Sequence, residues 1–143
     1  MRIFTILTLL ITALACTAAI PTGHELARFV ALARLESGTA AKPDGDDLAR
    51  GRRDEVSRYQ MLPSVWTRRF GKWSPPDFRN PVTALSVAYD EQLDRTIAFQ
   101  RRRGRPPTDF EWALLWHCPA RVFKPTESDR DYMQRFVNIL ESK

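Results

Sequence analysis

Apolar residues recur every three or four positions in separate segments of the chain, which is the spacing of one face of an amphipathic helix. The first such stripe consists of Leu26, Phe29, Val30 and Ala33. Glu36 lies three residues after Ala33 on the same face, and Gly38 is the expected end of this helix. The helix should begin at Thr22-Gly23-His24-Glu25, where the spacing of Thr and Glu matches a capping box.

Similar patterns predict four more helices, separated by breaks that contain proline or glycine. The predicted helices cover Pro63 to Phe70, Asn80 to about Arg102, Thr108 to Trp116, and Glu127 to Leu140. The breaks are Ser74-Pro75-Pro76 and Gly104-Arg105-Pro106-Pro107. The segment 39–58 is polar and lacks a sustained period, so we expect a loop that holds at most a small β-hairpin. The sequence therefore predicts a mainly α-helical fold.

The first nineteen residues have the order of a secretory signal peptide. Arg2 is followed by an apolar run from Ile3 to Leu14 and by small residues up to Ala19. The apolar run is too short to span a bilayer, and no later stretch approaches the roughly 20 apolar residues of a membrane helix. We therefore expect a signal peptide over 1–19 and an exported domain over 20–143, periplasmic or secreted, without a transmembrane segment.

Processing also changes the cysteine count and the charge. If Cys16 is removed, Cys118 is alone and cannot form an internal disulfide, so the fold must rest on its hydrophobic core. Because Ala13-Leu14-Ala15 precedes Cys16, lipid anchoring at Cys16 is an alternative. Loss of Arg2 lowers the formal net charge from +5 to +4, which suits an anionic polymer without selecting one. About 120 residues remain, which suits a single domain, and we expect a monomer.

Glu36 is the sharpest candidate for catalysis. A carboxyl at the end of an apolar helical stripe and beside a polar loop is partly removed from water, which raises its pKa. An acid that stays protonated near neutral pH can give its proton to a glycosidic oxygen as the bond breaks. From the spacing alone, an ordinary exposed glutamate near a helix end is the alternative interpretation.

Two segments near Glu36 carry a resemblance to a known family. They are Ala33-Arg34-Leu35-Glu36-Ser37-Gly38 and Ser57-Arg58-Tyr59-Gln60-Met61-Leu62-Pro63-Ser64-Val65-Trp66. Together they resemble the transglycosylase SLT domain of the lysozyme-like superfamily. In that family a helix ends in Glu-Ser-Gly, where the Glu is the catalytic acid/base, and a Gly-Leu-Met-Gln-hydrophobic-x-Pro segment lines the sugar cleft. Gln60 matches the motif's Gln, and Ser57 stands where the family has Gly.

The family's third block, Ala-Tyr-Asn-Ala-Gly-Pro followed by a valine, has a weaker counterpart in Leu115 through Val122. Trp116 would match the Tyr, and His117 would match the Asn. The resemblance extends over about Glu25 to Leu140 and implies a lysozyme-like single domain. It also implies that Ser57, Tyr59, Gln60, Trp116 and His117 contact substrate, and aromatic faces and amide groups do suit glycans. For Trp116, a core position is an equal alternative.

The number of carboxylates decides the type of reaction. Ordinary retaining and inverting glycosidases need two carboxyl groups beside the bond, and Glu55 is the first candidate for the second one. Glu55 could equally be a solvated loop charge beside Arg52 and Arg53. The resemblance instead implies a single Glu that cleaves the β-1,4 bond between muramic acid and glucosamine in peptidoglycan and yields a 1,6-anhydro product. Hydrolysis by a lysozyme-type muramidase remains the alternative.

Other chemistry has little support in the sequence. We expect no cofactor and no metal, because no His, Cys or Asp set has ligand spacing, and the adjacent His117 and Cys118 point in different directions on a helix. The run Arg101-Arg102-Arg103-Gly104-Arg105 is basic, but an exported protein rarely meets nucleic acid, and the helix dipole favours cations at that end. We expect peptidoglycan glycan strands, and no nucleic acid, as the partner.

Two other classes of function stay open at this point. Ser57 and His117 depart from the family's motifs, so a non-catalytic peptidoglycan-binding protein is the first alternative. In that case Glu36 should pair with an arginine such as Arg34 or Arg58 on a filled surface. A helical secreted effector whose motifs match by chance is the second alternative, and it predicts no groove at Glu36.

Overall fold

The segments with helical apolar spacing form five α-helices in the computed structural model, which describes residues 21, 23–71 and 78–142. The helices are α1 (Gly23–Ser37), α2 (Pro63–Phe70), α3 (Pro81–Arg103), α4 (Asp109–His117) and α5 (Glu127–Glu141). A 3-10 turn, Pro119–Arg121, follows α4. The prediction of a mainly helical fold is confirmed. The predicted signal peptide, Cys16, Thr22 of the first capping box, and the break Ser74-Pro75-Pro76 lie outside the described residues.

Side chains with local hydrogen-bonding capacity fix the helix ends. Asn80 accepts hydrogen bonds from the amides of Val82 and Thr83, with Pro81 in the first turn of α3. The predicted capping box of Thr108 and Glu111 is confirmed at the start of α4, and Thr126 and Asp129 form another at the start of α5. The sequence pattern therefore sets the helix boundaries to within a residue or two.

The core forms where four helices meet around Trp112 of α4. The Trp112 ring packs edge to face on Phe29 of α1, at 5.2 Å between centroids, and stacks on Phe136 of α5 at 5.6 Å. The side-chain amide of Gln92 on α3 donates to the Trp112 carbonyl at 2.8 Å. These contacts hold α1 against α4 and α5, so that its last turn faces the end of α4.

The buried face of α1 differs from the predicted stripe. Phe29 and Ala33 are buried, but Leu26 and Val30 are among the exposed apolar residues, and Leu32 is buried instead. The apolar residues of this helix surround most of its circumference, so the periodicity left the face ambiguous, and packing against α5 selected the face of Leu32. Glu36 lies one turn beyond Leu32 on this face.

The loop between α1 and α2 contains no strand among its described residues. Its only ladder-like pairs are isolated bridges between Arg50 and Val56 and between Val56 and Met61. In place of the small β-hairpin that the sequence allowed, the chain forms a tight turn over 57–60, closed by hydrogen bonds of 2.9 Å in both directions between Val56 and Met61. This turn brings the Gln60 segment back to the end of α1. Within the described residues, no helix combines the length and the apolar character needed to cross a membrane.

Candidate active site

A groove of about 510 Å³ opens beside the last turn of α1. Its walls come from that turn, the loop over 51–62, the middle of α3 and the end of α4 with the 3-10 turn. Five of the residues predicted from the sequence line it: Glu36, Glu55, Gln60, Trp116 and His117. Residues more than 80 positions apart in the chain thus meet in one concave site.

The last turn of α1 is tied to the loop that follows it, and this fixes Glu36. The Ser37 hydroxyl donates to the Arg58 carbonyl at 2.9 Å and accepts from the Asp46 amide at 2.8 Å. Gly38 leaves no room for a side chain, because an added Cβ would lie 2.3 Å from the Arg34 carbonyl oxygen. The Glu-Ser-Gly sequence therefore has a structural role at two of its three positions, and it holds Glu36 at the groove.

The Glu36 side chain has one hydrogen-bond partner among the described residues, Tyr132. The Tyr132 hydroxyl of α5 donates to Glu36 Oε1 at 2.5 Å. Burial is the largest influence on the carboxyl and raises its pKa, with a further rise from the charge of Glu55. The Tyr132 hydrogen bond and the charge of Arg135 act in the opposite direction but do not cancel the effect of burial. Glu36 is thus a carboxyl whose pKa lies above its ordinary value.

The arginines near Glu36 in sequence are bound elsewhere. The Arg34 guanidinium pairs with Asp44 at 2.7 Å, and the Arg58 guanidinium makes two bonds to Asp47 at 2.6 and 2.7 Å. Within the described part of the chain, Glu36 forms no ion pair. The pairing with Arg34 or Arg58 that a filled surface would require is therefore not formed.

Tyr132 is a site residue that sequence reasoning missed. It belongs to the apolar stripe of the last helix, and nothing local marks it, because its partner Glu36 is 96 positions away. The only signal was that a buried tyrosine hydroxyl needs a hydrogen-bond partner. Burial, followed by the charge and the hydrogen bond of Glu36, raises the pKa of Tyr132 well above its ordinary value. Tyr132 therefore remains a hydrogen-bond donor across the whole physiological range.

His117 covers the other side of Tyr132. The two rings stack with their centroids 4.1 Å apart and their planes inclined by 20°. Burial lowers the pKa of His117, and nearby arginines add to this effect against the opposing charge of Asp129. The imidazole is therefore neutral near pH 7, and it can offer a donor or an acceptor to a ligand without adding a charge beside Glu36.

The pKa of Glu55 is shifted in the opposite direction from the pKa of Glu36. Burial acts to raise the pKa of Glu55, but hydrogen bonds from the Arg53 amide at 2.8 Å and the Arg53 guanidinium at 2.9 Å help to bring the pKa below its ordinary value. A Cβ added to Gly51 would lie 2.3 Å from Glu55 Oε2 and 2.6 Å from Gln60 Oε1. Gly51 thus makes room for both side chains at the wall of the groove.

Ser57 and Tyr59, for which the resemblance implies contact with substrate, are buried and are not among the residues that line the groove. Ser57 is fully buried, and Tyr59 packs edge to face on Phe29 and Trp116. Ser57 also helps to hold the turn, because its carbonyl accepts a hydrogen bond of 3.0 Å from the Gln60 side-chain amide. Ser57 has φ of 69°, in the left-handed region that glycine adopts freely and that strains other residues. Burial also raises the pKa of Tyr59 to about 12.

Trp116 belongs to the groove and to the core at once. It lines the groove with only 8% of its surface exposed, while its ring packs against Tyr59. Arg95 of α3 fixes it from behind, with its guanidinium carbon 5.3 Å from the ring centroid and hydrogen bonds to the carbonyls of Leu115 and Trp116. Glu91 holds Arg95 in turn at 2.8 Å. This arrangement leaves only a small part of Trp116 exposed for contact with a ligand.

Removing the charge of Glu36 should stabilise the fold at neutral pH. A carboxyl whose folded pKa is raised gives stability below its ordinary pKa, near 4.5, and loses it as pH rises through the raised value. Glu36→Gln keeps an acceptor for Tyr132 but cannot ionise. We therefore expect thermal unfolding of the variant at a higher temperature than wild type at about pH 7, with the difference vanishing at about pH 4. A variant that is less stable at both pH values would contradict this account.

Comparison with known proteins identified no relative of this chain. No protein-family model, no characterised protein and no solved structure matches the chain. Within the described residues, no group of three His, Cys, Asp or Glu side chains could hold a metal ion.

Proposed function

We propose that this chain is an exported enzyme of the lysozyme-like superfamily that cleaves peptidoglycan glycan strands as a lytic transglycosylase. The observation that carries the proposal is the position of Glu36, partly buried in an open groove, with a raised pKa and with no ion pair to an arginine among the described residues. A groove at Glu36 also counts against a chance match of the motifs. The resemblance of the Glu36 and Gln60 segments to the transglycosylase SLT domain supplies the choice of substrate.

The environment of Glu36 suits both halves of such a reaction. Partial burial raises the pKa of the carboxyl and so favours its acid form, which can donate its proton to the oxygen that links muramic acid to glucosamine. The resulting carboxylate then accepts the proton of the muramic acid 6-hydroxyl, whose oxygen bonds to C1 and closes the 1,6-anhydro ring. The Tyr132 hydroxyl stabilises the carboxylate after the first step, because a hydrogen bond to an ionised acceptor is stronger than one to a neutral acid.

The other groove residues supply groups that suit sugar rings. Gln60 presents an amide at the wall, His117 a neutral imidazole, and Trp116 the exposed part of its side chain. Hydrogen bonds and apolar contact with aromatic faces are the usual means of glycan recognition. Because His117 is neutral, it can replace the amide of the resembling family as a hydrogen-bonding group. This supports an active enzyme over a non-catalytic binder.

Hydrolysis by a muramidase is the second candidate, and Glu55 is the observation that favours it. Glu36 and Glu55 line one groove with pKa values displaced in opposite directions, which is the pattern of a paired acid and base. Against this, Glu55 is bound to the Arg53 guanidinium and amide, which reduces its capacity to act as a base or a nucleophile. We therefore assign the chemistry to Glu36 alone.

Glu55→Gln separates the two reactions. A transglycosylase that uses Glu36 alone should keep its rate of release of soluble fragments from purified peptidoglycan within about tenfold of wild type, with anhydro products. The matched control is Asp54→Asn, which removes a neighbouring exposed carboxylate at the same loop and should have no effect. A loss of a hundredfold or more in Glu55→Gln alone, together with reducing-end products in wild type, would establish the hydrolase instead.

A further inference from the structure

A second, smaller groove lies beside the 3-10 turn that follows α4. It has a volume of about 200 Å³ between the C-terminal part of α3 and the segment after the 3-10 turn. Most of its lining is apolar and comes from Ala98, Phe99, Leu115, Val122 and Phe123. Arg95 and Pro119 line both this groove and the one beside Glu36, so the two adjoin. We call this second site the basic groove because of the arginines at its edge.

The arginines at its edge pack on an aromatic ring, and their charges are not paired with carboxylates of the described residues. The guanidinium carbons of Arg102 and Arg103 lie 4.1 and 4.5 Å from the centroid of the Phe123 ring, which orders both side chains. In the described part of the chain, neither forms an ion pair, and nor does Arg101. The helix dipole explains the sign of the charge at this end of α3. It does not explain two guanidinium groups stacked on one ring beside an apolar cavity.

The shape of the basic groove argues against two common anionic partners. Phe99 and Val122 are buried in its floor, so a flat bilayer cannot reach them, whereas membrane surfaces take up apolar side chains that protrude. The Phe123 ring stacks on Phe99 at 5.6 Å and carries the arginines, so its faces are occupied. A nucleic acid base that needs a free aromatic face for stacking has none here.

We propose that the basic groove binds an acidic peptide segment of a partner protein, with one large apolar side chain of that segment inserted into the cavity between α3 and the segment after the 3-10 turn. Carboxylates on either side of the apolar residue would accept hydrogen bonds from Arg102 and Arg103, whose planar groups match carboxylate geometry. The pre-ordered guanidinium groups reduce the entropy lost on binding. This inference does not depend on the chemistry of Glu36.

Fluorescence anisotropy with a labelled peptide tests this directly. The probe is a short peptide of Glu and Asp with one central leucine, titrated with the purified protein at low salt. Replacing the leucine by serine should weaken binding about tenfold or more, because the burial of one leucine side chain is lost. Raising the salt concentration should weaken it further, since the carboxylates are screened.

A charge-reversal variant locates the site on the protein. Arg102→Glu with Arg103→Glu should weaken binding of the acidic peptide by about a hundredfold or more, through lost attraction and new repulsion. The matched control is Arg130→Glu on α5, an exposed arginine without an ion pair, which should bind as wild type does. Circular dichroism checks that each variant is folded, and peptidoglycan cleavage by the double variant should equal that of wild type.

Three results would overturn the proposal. Equal binding of the leucine and serine peptides would show attraction by charge alone. Binding of vesicles that contain anionic phospholipid, lost in the double variant and without binding of the peptide, would show a membrane surface. Equal affinity of the double variant and Arg130→Glu would place the peptide elsewhere.

Discussion

Replacing Glu36 with glutamine should reduce peptidoglycan cleavage by about a thousandfold while leaving the fold intact. Glutamine retains the shape and the acceptor that Tyr132 needs, but it has no proton to give to a glycosidic oxygen and cannot accept one afterwards. Both halves of the proposed reaction therefore fail together. Release of soluble fragments from purified peptidoglycan, followed over time, measures the loss.

The control for this variant is Glu25→Gln, which removes a carboxylate at the other end of the same helix. We expect it to cleave as wild type does, because Glu25 lies outside the groove. The wild-type rate should also fall as pH rises through the raised pKa of Glu36, since the acid form is consumed. A Glu36→Gln protein with more than a tenth of the wild-type rate would show that another group supplies the proton.

Replacing Gly38 with alanine should destabilise the protein by about 2 kcal/mol and abolish most of its activity. The new Cβ would lie 2.3 Å from the Arg34 carbonyl oxygen, and a backbone atom cannot move aside as a flexible side chain can. The last turn of α1 must then shift, and it carries both Glu36 and the Ser37 hydrogen bonds to the loop. Chemical denaturation measures the stability, and the peptidoglycan assay measures the activity.

Gly71→Ala is the matched control, because Gly71 also follows a helix end but an added Cβ there would meet no described residue within 4 Å. Its φ of 69° makes alanine cost about 1 kcal/mol there, without a clash and without an effect on cleavage. If Gly38→Ala were as stable and as active as wild type, the tight end of α1 would not be what positions Glu36.

The helices could be predicted from the sequence because their signals are local. Apolar spacing and the caps at Asn80 and Thr108 depend on neighbours within a few residues, and the structure has these helices within a residue or two of the predicted ends. The buried face of α1 could not be predicted as well. Leu26 and Leu32 are equally apolar, and only the packing of α5 decides which of them is covered.

The residues of the candidate site could likewise be predicted only in part. Glu36, Gln60 and His117 could be brought together from motifs whose residues have fixed relations in the resembling family. The burial of Ser57 and Tyr59 could not be predicted, because a motif gives the identity of a residue but not the direction of its side chain. Tyr132 could not be found, since its contact with Glu36 depends on how α5 lies across α1.

The proposed roles of the two groove carboxylates can be decided by the mass of the products. Peptidoglycan digested to completion by the purified protein should release muropeptides that are each lighter by one water than hydrolysis products, as expected for a 1,6-anhydro ring closed by Glu36. Glu36→Gln should release none. Reducing-end muropeptides from wild type would contradict the single-carboxylate mechanism, and the absence of any released product from wild type would contradict the enzyme itself.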